Sequence, residues 1–233
     1  MSGGSSVSYL QHGRIRLALH TLRESTGGWP LLLLPGLGER SPEGVGLDIA
    51  GWNGPIFALD FTGHGASESP IGGGYSAEVL MADVDTALSH LGPCTILGRG
   101  LGGYIALLIS GARPALVRGA IIDDGIGILG GGGSPGSIHL DVPNRLVDGP
   151  GAPDPYVLLE MSSDIRPADY AATYAFAAAQ ATSNRIAVAV VTRARPSWLV
   201  GILDQFGVEV LSLTDALAMF AGAEYPESVR SRP

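Results

Sequence analysis

The residues of clearest chemical meaning are the glycines of Gly98-Arg99-Gly100-Leu101-Gly102-Gly103, set between a short strand-like run, Cys94 to Leu97, and a helical stretch, Tyr104 to Ser110. Glycines between a strand and a helix let a ligand approach backbone N–H groups and the positive end of the helix, which is the chemistry of anion binding. The spacing Gly98-x-Gly100-x-x-Gly103 also satisfies the dinucleotide fingerprint, with Asp123 or Asp124 at the interval where an acid would hold a ribose. That fingerprint ordinarily opens its domain, whereas this turn arrives after several strands.

Few other groups are available for catalysis. The histidines are His12, His20, His64, His90 and His139. None has the His-x-x-x-His spacing of a helical metal site, so no metal is expected. Every basic residue is an arginine, which removes mechanisms that need a Schiff-base or P-loop lysine. Cys94 is the single cysteine, which excludes an intrachain disulfide and a cysteine-rich metal site and points to the cytoplasm. Asp123 and Asp124 end a strand and read either as an acid at a site-bearing edge or as loop caps. Arg99 pairs with a carboxylate such as Asp123 or Glu68, or meets an acidic ligand.

Three segments together resemble the α/β-hydrolase family, over about residues 14–220. Leu32-Leu33-Leu34-Pro35-Gly36-Leu37-Gly38 is similar to its strand and oxyanion loop. Leu59-Asp60-Phe61-Thr62-Gly63-His64-Gly65-Ala66-Ser67-Glu68 is similar to its Asp-x-Arg-Gly-His-Gly-x-Ser turn, with Thr62 where Arg is usual. Ile96 to Gly103 resembles the nucleophile elbow Gly-x-Ser-x-Gly, with Gly100 where the nucleophile belongs. The resemblance places an oxyanion hole at the N–H groups of Leu37 and Leu101. It places the acid in Thr192-Arg193-Ala194-Arg195-Pro196, which has no carboxylate, and the base in Ser212-Leu213-Thr214-Asp215, which has no histidine. It gives His64 a structural role between loops, leaves His12, His20 and His90 as surface or edge residues, and puts His139 in an insertion above the pocket.

The elements that position these groups follow from hydrophobic periodicity. Strands are expected at 14–22, 31–34, 56–60, 94–97, 117–123, 186–191 and 208–213. Helices are expected at 76–91, 104–110, 198–206 and 216–220, and across 156–181 with a boundary at Pro167. This alternation implies an α/β fold, a mostly parallel sheet flanked by helices. The expected organisation is a flexible tail at 1–8, a first core part at 9–124, a Gly- and Pro-rich lid at 125–184, a second core part at 185–222 and a tail at 223–233. Met1 to Ser8 lack the basic and apolar regions of a signal peptide.

The chain has 233 residues and a net charge of -8, which suits one domain and offers no basic surface for nucleic acid. Apolar runs break well before the ~20 residues of a membrane span. The expectation is a non-hydrolytic protein that uses Gly36, Leu37, Arg99, Gly100 and Leu101 to bind a small molecule with an apolar body and a polar oxygen, or a protein partner, with no cofactor. The uncovered N–H groups of Leu37, Leu101 and Gly102 would receive that oxygen. The alternative is an atypical hydrolase, lyase or isomerase that works through His139, or through Asp123 or Asp124, with the same N–H groups.

Overall fold

A computed structural model describes residues 6–134, 149–182, 184 and 186–222. Eight strands form one sheet in the order β1-β2-β4-β3-β5-β6-β7-β8. β1 (Ser6–His12) and β2 (Ile15–Arg23) make an antiparallel hairpin, and β2 runs antiparallel to β4 (Ile56–Leu59). From there β4, β3 (Leu31–Leu34), β5 (Cys94–Arg99), β6 (Val117–Asp123), β7 (Val188–Val190) and β8 (Val208–Val210) are parallel.

One sheet face carries most of the core. Leu32, Leu34, Ile96, Ile122, Val188 and Val190 belong to one core cluster with residues of α1 (Ala77–Leu91) and α2 (Leu101–Ala112). Helix α1 is amphipathic and buries Leu80, Val84 and Leu88, each worth about 1.5–3 kcal/mol. Ser76 caps it by accepting from the Val79 N–H at 3.3 Å. Helix α3 (Pro155–Ser162) and helix α4 (Ala168–Ala181) follow, and Pro167 starts α4 as the sequence predicts. The buried Ala171, Ala175 and Ala178 bring α4 close along α2. The helical part of 125–184, expected as a lid, is therefore largely a core layer.

The opposite face is thinner. Leu31, Ile56, Ala58, Leu97 and Ile121 point to it and are covered by Ile49, Trp52 and α6 (Leu213–Ala221), which contributes Leu217 and Phe220. Parallel strands normally need a crossover that carries a helix. Residues 35–55, which cross from β3 to β4, form only turns, so part of the sheet lacks a helical cover.

Several expectations change. Residues 6–8 are not tail but the start of β1, in register with β2 from Ser6 against Thr21. Its mostly exposed edge position leaves little apolar signal in the sequence. Helix α2 begins at Leu101 rather than Tyr104, because Gly100 is its N-cap. The expected helix 198–206 is only α5 (Ser197–Val200), ended at Gly201, where Ala168 of α4 packs too closely for a larger side chain.

Candidate functional site

The turn between β5 and α2 has the elbow geometry. Gly100 holds φ 52° and ψ -115°, where a side chain would be strained. Its neighbours sit in close strand-to-helix contact: a Cβ on Gly102 would lie 2.6 Å from the Leu34 carbonyl oxygen, and one on Gly98 would overlap the Gly102 carbonyl.

The space in front of Gly100 is full. A Cβ there would lie 2.5 Å from the Gly125 carbonyl carbon and closer still to Ile126 O. Leu37 N–H donates to Ile126 O at 2.9 Å, and Leu101 N–H donates to the same oxygen at 3.0 Å. The pair of donors assigned to an oxyanion hole thus holds a carbonyl of the chain itself. Gly102 N–H donates to Pro35 O at 3.1 Å, and Gly100 N–H to Asp123 O at 3.1 Å. The expectation of uncovered N–H groups at Leu37, Leu101 and Gly102 is therefore corrected, since Ile126 O occupies the first two and Pro35 O the third. The dinucleotide reading loses its phosphate donors for the same reason.

A buried arginine keeps this backbone in place. Arg166 is fully buried, with its guanidinium 4.5 Å over the Tyr104 ring. Its Nη1 donates to Gly127 O at 2.6 Å and Ile128 O at 3.1 Å, while Trp198 Nε1 donates to Ile128 O at 2.9 Å. Sequence reasoning missed this role because Arg166 lies far along the chain from the turn it braces, and no local pattern links the two.

Asp124 is a loop tie. It accepts from Thr192 Oγ1 and from the N–H groups of Arg193 at 3.1 Å and Ala194 at 3.3 Å. Burial opposes its ionisation, but these hydrogen bonds outweigh it and hold the carboxyl below its usual range. Arg195 folds onto its own loop, donating to Thr192 O and to Ala194 O at 2.9 Å. His139 lies outside the described residues.

The other histidines are more engaged than expected. His20 Nε2 lies 2.9 Å from Asp60 Oδ2, and His12 Nδ1 lies 2.7 Å from the buried Asp83. His12 and His20 are thus paired with carboxylates rather than simple edge residues, and tertiary contact alone made the pairs. His64 is buried, with Nδ1 3.2 Å from Thr62 O of its own turn, and burial pushes its pKa down. Among the described residues, no group of three or more His, Cys, Asp or Glu side chains could hold a metal ion, and no helix is long and apolar enough to cross a membrane.

The open space lies beside the elbow, on the thin sheet face. A cavity of about 560 Å³ is floored by Leu33, Ala58 and Leu97 and flanked by Ile49. Leu33 is in register with both Ala58 and Leu97, so these side chains share a face. Glu39, Arg99 and Asp123 stand at its rim. Arg99 and Asp123 are cross-strand partners, yet the guanidinium turns to Glu39 Oε1 at 3.5 Å. Burial raises the Asp123 pKa, only partly countered by the Asp124 N–H bond and the charge of Arg99. Of the predicted site residues, Arg99 and Asp123 line this cavity, whereas Gly36, Leu37, Gly100, Leu101 and Asp124 do not. Its size and apolar floor are those of a small-molecule site.

The comparisons agree with this architecture. A hypothetical protein of Pseudomonas aeruginosa PAO1 superposes with a TM-score of 0.60 at 17% identity, covering 92% of this chain and 98% of that one. A thioesterase domain from the curacin biosynthetic pathway gives 0.62 at 16% identity, covering 94% of this chain and 98% of its own. A variant of the N-formylmaleamic acid deformylase of Pseudomonas putida S16 gives 0.56 at 15% identity, covering 89% of this chain and 92% of its own. At these identities the likeness shows the fold alone. Residues 26–231 match the family model described as the alpha/beta hydrolase family. With the strand order, the elbow turn and a match over most of its length, the chain belongs to the alpha/beta hydrolase family.

Proposed function

We propose that this protein is a non-hydrolytic member of its family that binds a small molecule with an apolar body in the cavity over Leu33, Ala58 and Leu97. The observation that carries this reading is the Ile126 carbonyl bonded to the N–H groups of Leu37 and Leu101. An oxyanion hole works by offering preorganised donors to a developing charge. Here the donors are engaged, the elbow residue has no side chain, and backbone fills the nucleophile's place. The loops after β7 and β8 add neither acid nor base of the usual kind.

A second reading has one observation in its favour. Asp123 is a carboxyl whose pKa burial raises, at the edge of a cavity, which suits proton transfer in a lyase or isomerase reaction that needs no nucleophile.

Treatment with a fluorophosphonate probe, followed by intact mass and peptide mapping, tests the main reading. The expected result is no adduct. A stoichiometric adduct on a serine beside the cavity, such as Ser41, overturns it, because only an activated hydroxyl reacts in that way.

A further inference from the structure

A half-satisfied histidine sits in the turn at 61–68, where the segment before α3 meets the core. His64 is buried, with Nδ1 3.2 Å from Thr62 O, and its Nε2 is buried with no hydrogen-bond partner among the described residues. A carbonyl only accepts, so Nδ1 carries the ring's proton and Nε2 is left as a bare acceptor. A second proton there would make a buried cation whose new N–H faces no acceptor. Three carboxylates act on the ring through their charge: Asp60 after β4, Asp83 of α1 and Asp154 before α3. Their oxygens are bonded elsewhere. Asp60 accepts from the N–H groups of Ser41 at 2.6 Å and Ala66 at 2.8 Å and lies 2.9 Å from His20 Nε2. Asp83 accepts from the N–H and the hydroxyl of Thr62, each at 2.8 Å, and lies 2.7 Å from His12 Nδ1. Asp154 accepts from the Tyr75 hydroxyl at 2.7 Å and the Tyr156 N–H at 2.9 Å.

The same turn holds the segment before α3. Gly63 O, in the peptide unit that leads into His64, accepts from the Asp154 N–H at 2.9 Å. The ring therefore cannot leave its place without moving that carbonyl. Val157 and Met161 anchor α3 in the core, so any parting falls on residues 149–155. We propose that this turn is a proton-operated latch: a proton on His64 Nε2 drives the ring out of its site, breaks the bond between Gly63 O and the Asp154 N–H, and frees residues 149–155 while α3 stays packed. Burial dominates at His64 and holds its pKa below 6.5, against the Thr62 carbonyl and the three carboxylates. In the opened form the ring meets water and regains its ordinary value. The closed form is thus fully favoured above pH ~6.5 and loses ground as pH falls towards the folded value. Burial opposes the ionisation of Asp60, but its hydrogen bonds keep it below the usual range, so it stays charged through that window. His12 responds in the opposite sense, because its hydrogen bond to Asp83 raises its pKa and that pair strengthens as pH falls.

Native-state amide exchange of the full-length protein, corrected for the pH dependence of the free-chain rate, reads the latch at the Asp154 amide. Its protection is expected to lie below that of Ile105 and Leu107 in α2 and to fall about tenfold between pH ~7 and pH ~5. His64→Gln, which cannot take up the proton, is expected to abolish that fall, whereas His12→Gln and His20→Gln keep it. A ring titration by NMR needs no variant: His64 is expected to titrate below pH 6.5, in step with shifts of the Gly63 and Asp154 amides. Three results overturn the proposal. They are Asp154 protection as high as that of α2, a fall that survives in folded His64→Gln, and a His64 ring that either stays neutral down to pH ~5 or titrates while the Gly63 and Asp154 amides stand still.

Discussion

Replacing Gly100 with serine restores the family's nucleophile on paper, and the structure says that it damages the fold instead. Two costs apply. A side chain at φ 52° costs about 1–3 kcal/mol in backbone strain. The new Cβ would also stand 2.5 Å from the Gly125 carbonyl carbon, and the obstacle is backbone rather than the end of a flexible side chain. Forcing that space open costs about 1–3 kcal/mol more, as overpacking does elsewhere. The total, on the order of 2–6 kcal/mol, is a large share of a typical domain's stability. Urea unfolding followed by circular dichroism reads it as a midpoint lowered by about 1–2 M or more. Gly72→Ala is the control, since Gly72 has φ 85° and nothing within 4 Å of its Cβ position. It carries the strain without the collision and should lose at least about 1 kcal/mol less. If the 125–127 backbone yields, amide exchange at Leu37 and Leu101 rises, because their acceptor has moved. Ester hydrolysis by Gly100→Ser should stay at the wild-type level. A variant with an unchanged midpoint, or with a hundredfold gain in hydrolysis, would refute the reasoning.

Two other perturbations test the supports of the site. Arg166→Met removes the donor that holds Gly127 O and Ile128 O, and a cost of about 1–3 kcal/mol is expected. Faster amide exchange at Leu37 and Leu101 in that variant, at a pH where the protein remains folded, would show that Arg166 braces the Ile126 carbonyl. His12 has its pKa raised by its hydrogen bond to Asp83, assisted by the charge of that carboxylate against a modest burial penalty. Because the folded value exceeds the unfolded one, the stabilisation is full below pH ~6.5 and is lost as pH rises through the folded value. NMR titration of the His12 ring should give a pKa above 6.5, and His12→Gln should flatten the fall of stability over that range.

Much of the architecture was legible in the chain. Continuous apolar runs such as Leu31 to Leu34 gave the buried strands, three-and-four spacing gave α1, and the glycine spacing at 98–103 gave the strand-to-helix turn. These signals are local, since each arises from residues within one or two turns of one another. The missing side chain at Gly100, the lack of a carboxylate in 192–196 and the lack of a histidine in 212–215 could be read from residue identity alone. β1 escaped because a mostly exposed edge strand has little apolar pattern to show.

The state of the site was decided only by tertiary contact. Nothing in the order of residues says that the Ile126 carbonyl meets the N–H groups of Leu37 and Leu101, because the three come from separate loops joined only when β3, β5 and β6 pair. The same holds for Arg166, whose charge reads as a surface group until the fold buries it against Tyr104 and the backbone it braces. The cavity, too, is a property of the assembled sheet: the helix-free crossover at 35–55 bounds it beside Leu33, Ala58 and Leu97, and pairing sets Arg99 and Asp123 side by side at its rim. Sequence fixes which donors, acceptors and charges exist, but their free energies depend on the partners and the water they keep, and folding alone sets those.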